Sequence, residues 1–100
     1  MNKTEDELIS ISILTYRNYR YLYEAVFSQD YSNIELIVSD DGSDNFPEDE
    51  IRTYIQKNKK NNIKNVIVNH EKVNQGTVKH INKVIDLANG DYFAALAGDD

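Results

Sequence analysis

Four short apolar runs, separated by polar segments of helical length, constrain this chain more than any other feature. They cover residues 9–14, 34–39, 65–69 and 92–97. Apolar residues alternate through the first, at Ile9, Ile11 and Ile13, as in a half-buried strand. The second, Ile34-Glu35-Leu36-Ile37-Val38-Ser39, is apolar for most of its length, as in a strand covered on both faces. Between the runs the spacing becomes helical. Tyr19, Leu22 and Val26 share a stripe over 19–28, with Asn18 as N-cap. Ile51, Tyr54 and Ile55 share one over 47–58, where Pro47 suits the first turn. Glu48, Asp49 and Glu50 lie near the positive end of that helix and Lys57, Lys59 and Lys60 near the negative end. Val78, Ile81, Ile85 and Ala88 form the apolar face of a helix over 76–88, which Gly90 ends with a left-handed cap. The order βαβαβαβ predicts an α/β fold, a three-layer sandwich around a mainly parallel sheet with right-handed crossovers. The small residues of 92–97 place that strand in the sheet centre.

A parallel sheet fixes where a ligand goes. Its strands deliver their carboxyl ends to one edge, and ligands bind beyond that edge. Three polar clusters sit at those ends: Thr15-Tyr16-Arg17, Asp40-Asp41-Gly42-Ser43 and Asp99-Asp100. Neighbouring side chains at a strand end point in opposite directions, so Asp99 and Asp100 address different targets, one a hydroxyl and one a cation. Their hard oxygens suit Mg2+ or Mn2+, and such an ion would screen a diphosphate from the acidic rim. Asp40 or Asp41 is placed to accept from a base N–H of a nucleotide. Gly76, opening a helix, leaves backbone amides for phosphate oxygens. Each cluster has a plainer reading beside this one. Asp-Asp-Gly-Ser is a common turn composition, an aspartate pair can be a solvated chain end, and Asn74-x-Gly76 suits any loop-to-helix junction. His70 and His80 have no partners at metal-ligand spacing and read as surface residues.

Bulk properties narrow the function. One hundred residues fit one domain, here 1–100. A net charge of −6 argues against nucleic acid, which is held by positive surface. Cysteine is absent, which excludes disulfides and Cys-based zinc sites. No signal-peptide pattern and no membrane-length apolar run is present, and a cytoplasmic location is expected, with the inner face of a membrane as the alternative for a longer protein.

Taken together the motifs resemble those of the family 2 glycosyltransferases, inverting enzymes with the A-type glycosyltransferase fold. The resembling residues are 10–16 with Asn18, 35–43, Asn74-Gln75-Gly76 with Asn82, and Gly90-Asp91-Tyr92 leading to Gly98-Asp99-Asp100. The resemblance implies a nucleotide-sugar donor, usually a UDP-sugar, with Mn2+ or Mg2+, and a glycan or lipid-linked acceptor. By position, Thr15, Tyr16 and Arg17 would line the nucleotide pocket and Asp41, with Asp40, would bond the uracil edge. Asp99 would meet the ribose or sugar, and Asp100, with Asp99, the metal. The reaction implied is a single displacement at the anomeric carbon, with a carboxylate base acting on the acceptor hydroxyl.

The chain departs from that pattern in four places. Ala97 stands where an aspartate is frequent. Ile81 precedes Asn82 where an arginine is common, with Lys79 as the substitute. Residues 24–31 are about three shorter than usual. The acceptor half and the base would follow Asp100, so this chain alone is expected to be inactive and its uncovered fourth strand to favour homodimers through the sheet edge. The rivals fit less well. A receiver domain needs its acidic pair after the first strand, a nucleotidyltransferase a Gly-rich loop there, and a dinucleotide-binding oxidoreductase a Gly-x-Gly-x-x-Gly turn. A non-catalytic nucleotide-binding or self-associating fragment is the remaining alternative.

Overall fold

A computed structural model of the chain describes residues 7–15 and 31–97. Its elements are β1 (Ile9–Thr15), β2 (Ile34–Asp41), α1 (Glu48–Asn58), β3 (Ile63–Glu71), α2 (Thr77–Leu87) and β4 (Tyr92–Ala97). The helix expected over 19–28 lies outside the described residues. The strands form one sheet in the order β3-β2-β1-β4. All three pairings are parallel. Two of the strands run further than their apolar residues. Asp40 and Asp41 stay in β2 because β3 continues beside them, pairing them with His70 and Glu71.

The path across the sheet reverses. It moves outward from β1 to β2 to β3, then returns past both to reach β4. With crossovers of one hand, that reversal sends the two helices to opposite faces. The packing agrees. Ile51 and Ile55 of α1 cluster with Ile11, Ile13, Leu36 and Val38. His80 of α2 instead bonds Ser39, whose side chain leaves β2 on the other side. Helix, sheet and helix form the three layers.

The two faces are chemically unlike. The α1 face is aliphatic and holds the core, among the described residues nine buried side chains with Ile9, Phe46 and Val66 packed against them. The α2 face buries Ile37 and, beside it, the polar Ser10, Ser12, Glu35 and Ser39. This overturns the apolar stripe expected for α2. Val78 and Ile85 are exposed, while His80 and Val84 are buried. A helix facing serines and a glutamate is held by hydrogen bonds, so its polar member turns inward. His80 is therefore no surface residue. The central placement of the fourth strand is also corrected: β4 pairs with β1 and with no other described strand, and Tyr92 and Leu96 are exposed. Among the described residues no helix is long and apolar enough to cross a membrane.

Candidate functional site

The carboxyl edge of the sheet gathers the end of β1, the end of β2 with its turn, and the loop before α2. Register explains the first contact: Thr15 lies opposite Asp40. The Thr15 hydroxyl donates to Asp40 Oδ1 at 2.7 Å. Ser43 then folds back on the same carboxylate, its N–H donating to Oδ2 at 2.7 Å and its hydroxyl to Oδ1 at 2.8 Å. Asp40 is fully buried. It is a side-chain anchor for the turn, as aspartates at turn starts often are, and not an open rim group.

Asp41 faces the other way and ties the rim to α2. Its Oδ1 accepts from the Gln75 N–H at 2.9 Å and its Oδ2 from the Gly76 N–H at 3.1 Å. The Gly76 amide that the sequence leaves open for phosphate is thus already engaged, and Asn74 Oδ1 accepts from it as well. An aspartate at the end of one strand captures the loop that leaves its neighbour. Gly42 makes the approach feasible. It adopts φ +83°, and a Cβ there would collide with the backbone of Val73 and Asn74. Only glycine meets both demands. The turn after β2 and the loop after β3 are one packed unit.

Lys79 is exposed in the first turn of α2. The end of β4 reaches the same edge, since Ala97 pairs with Leu14. Tyr16, Arg17, Asp99 and Asp100 lie outside the described residues. Among the described residues no three His, Cys, Asp or Glu side chains converge as a metal site.

Two polar ties set the position of α2 behind the rim, and the sequence reading missed both. Ser39 Oγ lies 2.7 Å from His80 Nε2 and accepts from Asn69 Nδ2 at 3.0 Å. Glu35, fully buried, binds the far end. It accepts from Ser10 Oγ at 2.8 Å, Asn65 Nδ2 at 2.7 Å, the Asn89 N–H at 2.7 Å and Asn89 Nδ2 at 2.8 Å. Burial would raise the pKa of this carboxyl, but the bonds led by Asn89 outweigh it and hold it below the ordinary value. The signal was present in the sequence: a glutamate inside an apolar run must be paired once the strand is buried.

The glycosyl transferase family 2 model matches residues 10–100. This chain belongs to that family. It is 36% identical over 96 residues to an uncharacterized glycosyltransferase of Haemophilus influenzae, covering 93% of this chain and 36% of the relative. It is also 36% identical over 98 residues to glycosyltransferase GlyG of Streptococcus pneumoniae, covering 94% and 31%. The chain spans about a third of the length of these relatives. Among solved structures, the mannosyltransferase PcManGT of Pyrobaculum calidifontis, in complex with GDP-Man and Mn2+, superposes with a TM-score of 0.75 at 18% identity, over 91% of this chain and 27% of that one. S. aureus TarS 1–349 gives 0.66 at 21% identity, over 92% and 27%. These likenesses show the A-type glycosyltransferase fold of this family 2 domain.

Proposed function

We propose that this chain is the donor-binding part of a glycosyltransferase whose donor is a nucleoside diphosphate sugar, with UDP as its nucleotide. The observation that carries the reading is the parallel register of a family 2 domain, which brings Thr15, Asp40, Asp41 and the end of β4 to one edge. Thr15, Tyr16 and Arg17 line the nucleotide pocket. Asp41, nearer the surface than Asp40, receives the base N–H on the lone pairs that Gln75 and Gly76 leave unused. Asp40 acts through Thr15, whose hydroxyl it orients. Gly76 and Lys79 flank the phosphates, and Asp99 takes the ribose or sugar.

The metal has a chemically suitable seat. Asp99 and Asp100 offer hard carboxylate oxygens, the donors that Mn2+ and Mg2+ prefer. A divalent ion held there would neutralise the departing diphosphate. PcManGT, solved with GDP-Man and Mn2+, supports such a pairing by analogy of fold. In the whole protein the acceptor site and the base that takes the acceptor proton would come from residues outside this chain, and the acceptor would be a glycan or a lipid-linked saccharide. The edge of β4 away from β1, which no described strand covers, suits a second copy of the chain; light scattering giving a monomer at high concentration would reject that association.

Calorimetric titration with UDP and with GDP, with and without Mn2+, tests the reading. Metal-dependent UDP binding is expected, lost in Asp100→Ala and weakened in Asp41→Ala. A folded chain that binds neither nucleotide in the presence of Mn2+ would sink the proposal that this part carries the donor site.

A further inference from the structure

The turn that carries Asp40 has a neighbour on β3 with no part in the donor contacts above. His70 lies directly across from Asp40 in the β2–β3 register. Its Nε2 is 3.0 Å from the Ser43 carbonyl oxygen and 3.6 Å from Asp40 Oδ2. A carbonyl oxygen can only accept, so Nε2 carries a proton and donates to Ser43. That N–H also faces Asp40 Oδ2, so it stands between two acceptors of the turn. The imidazole is fixed in turn by Phe46, whose ring centroid lies 4.9 Å away.

The contacts form a relay. Phe46 seats His70, His70 holds the Ser43 carbonyl, Ser43 donates twice to Asp40, and Asp40 receives the Thr15 hydroxyl. We propose that His70 is a positioning residue for the nucleotide site. It braces the turn between Asp40 and Ser43 from the β3 side and so sets the direction of the Thr15 hydroxyl. The inference rests on the donor-binding reading for its functional consequence, and on the distances alone for the brace.

Two substitutions separate the N–H from the ring. His70→Gln keeps an N–H donor and drops the ring; His70→Phe keeps a ring against Phe46 and drops the donor. Two readouts are needed, UDP affinity with Mn2+ by calorimetry and the exchange rate of the Ser43 amide by hydrogen exchange. For His70→Phe the Ser43 amide should exchange about tenfold faster and UDP bind about fivefold more weakly, the scale of one lost hydrogen bond. His70→Gln should stay within about twofold of wild type in both. Unchanged exchange in His70→Phe, or equal damage in both variants, would overturn the brace. Should wild type bind no UDP, the donor reading fails, and the exchange rates still decide the role of His70.

Discussion

Replacing Glu35 tests the account of how α2 is held. The carboxylate is fully buried and collects four donors from three places, Ser10 on β1, Asn65 on β3, and the backbone and side chain of Asn89 beyond α2. In Glu35→Gln one oxygen becomes an N–H2 group. It fits best at the Oε2 position, where the Asn65 and Asn89 amides can turn their oxygens toward it. The other position faces the Asn89 backbone N–H, which cannot turn. The substitution therefore keeps most bonds but exchanges charged for neutral ones, a loss of about 1–2 kcal/mol. Glu35→Ala strands the buried Ser10 hydroxyl and takes the acceptor from the Asn89 N–H, and at about 1–3 kcal/mol for each unsatisfied donor the expected loss is about 3 kcal/mol. Urea denaturation followed by circular dichroism near neutral pH should rank wild type above Gln above Ala. Acid adds a second arm. The folded pKa lies below the unfolded reference of 4.5, so the contribution is whole above that value and lost as pH falls below it, through the folded pKa. The gap between wild type and Glu35→Gln should therefore narrow over the acid window below 4.5. A constant gap across that window, or both variants within about 0.5 kcal/mol of wild type, would refute the reasoning.

The glycines give a graded set. Gly42→Ala meets both a positive φ and the backbone of Asn74, and Gly90→Ala presses on Ser10 and Leu8; each should cost more than about 2 kcal/mol in thermal unfolding. Gly76→Ala meets the positive φ alone, with open space around it, and should cost about 1 kcal/mol. Equal losses at all three would deny that the Gly42 contact welds the two loops. Ser39→Ala removes the hydroxyl that meets His80 and one of the two acceptors of Asn69 Nδ2, the other being Glu71, and should destabilise by about 1–3 kcal/mol in the same assay; a neutral result would make that tie dispensable.

Much of the fold was legible because strands and helices leave different periods. Ile9, Ile11 and Ile13 mark β1 by alternation, and the acidic start and lysine-rich end of α1 mark its direction. The common edge of Thr15, Asp40 and Asp41 followed from a parallel sheet alone. What misled was hydrophobicity used as a compass. It turned α2 toward Val78 and Ile85, because periodicity ranks valine above histidine and cannot see that the facing strand presents Glu35 and Ser39. It also ended β2 before Asp40, since two aspartates look like a turn until β3 is known to run beside them. The engagement of Asp41 by the loop before α2 depends on residues 34 and 35 positions away, and no local pattern encodes that pairing.

The unlike faces of the sheet impose different rules on how such a sequence drifts. Beneath α1, isoleucine, leucine and valine can exchange one at a time, because an aliphatic core tolerates swaps that conserve volume. Beneath α2, each of the buried polar groups Ser39 and Glu35 answers to a named partner, Ser39 to His80 and Glu35 to Asn89. A change in one member strands the other, so these positions are held to change in pairs or not at all. One layer of the same domain can wander through sequence space by single steps, while the other moves only by double ones.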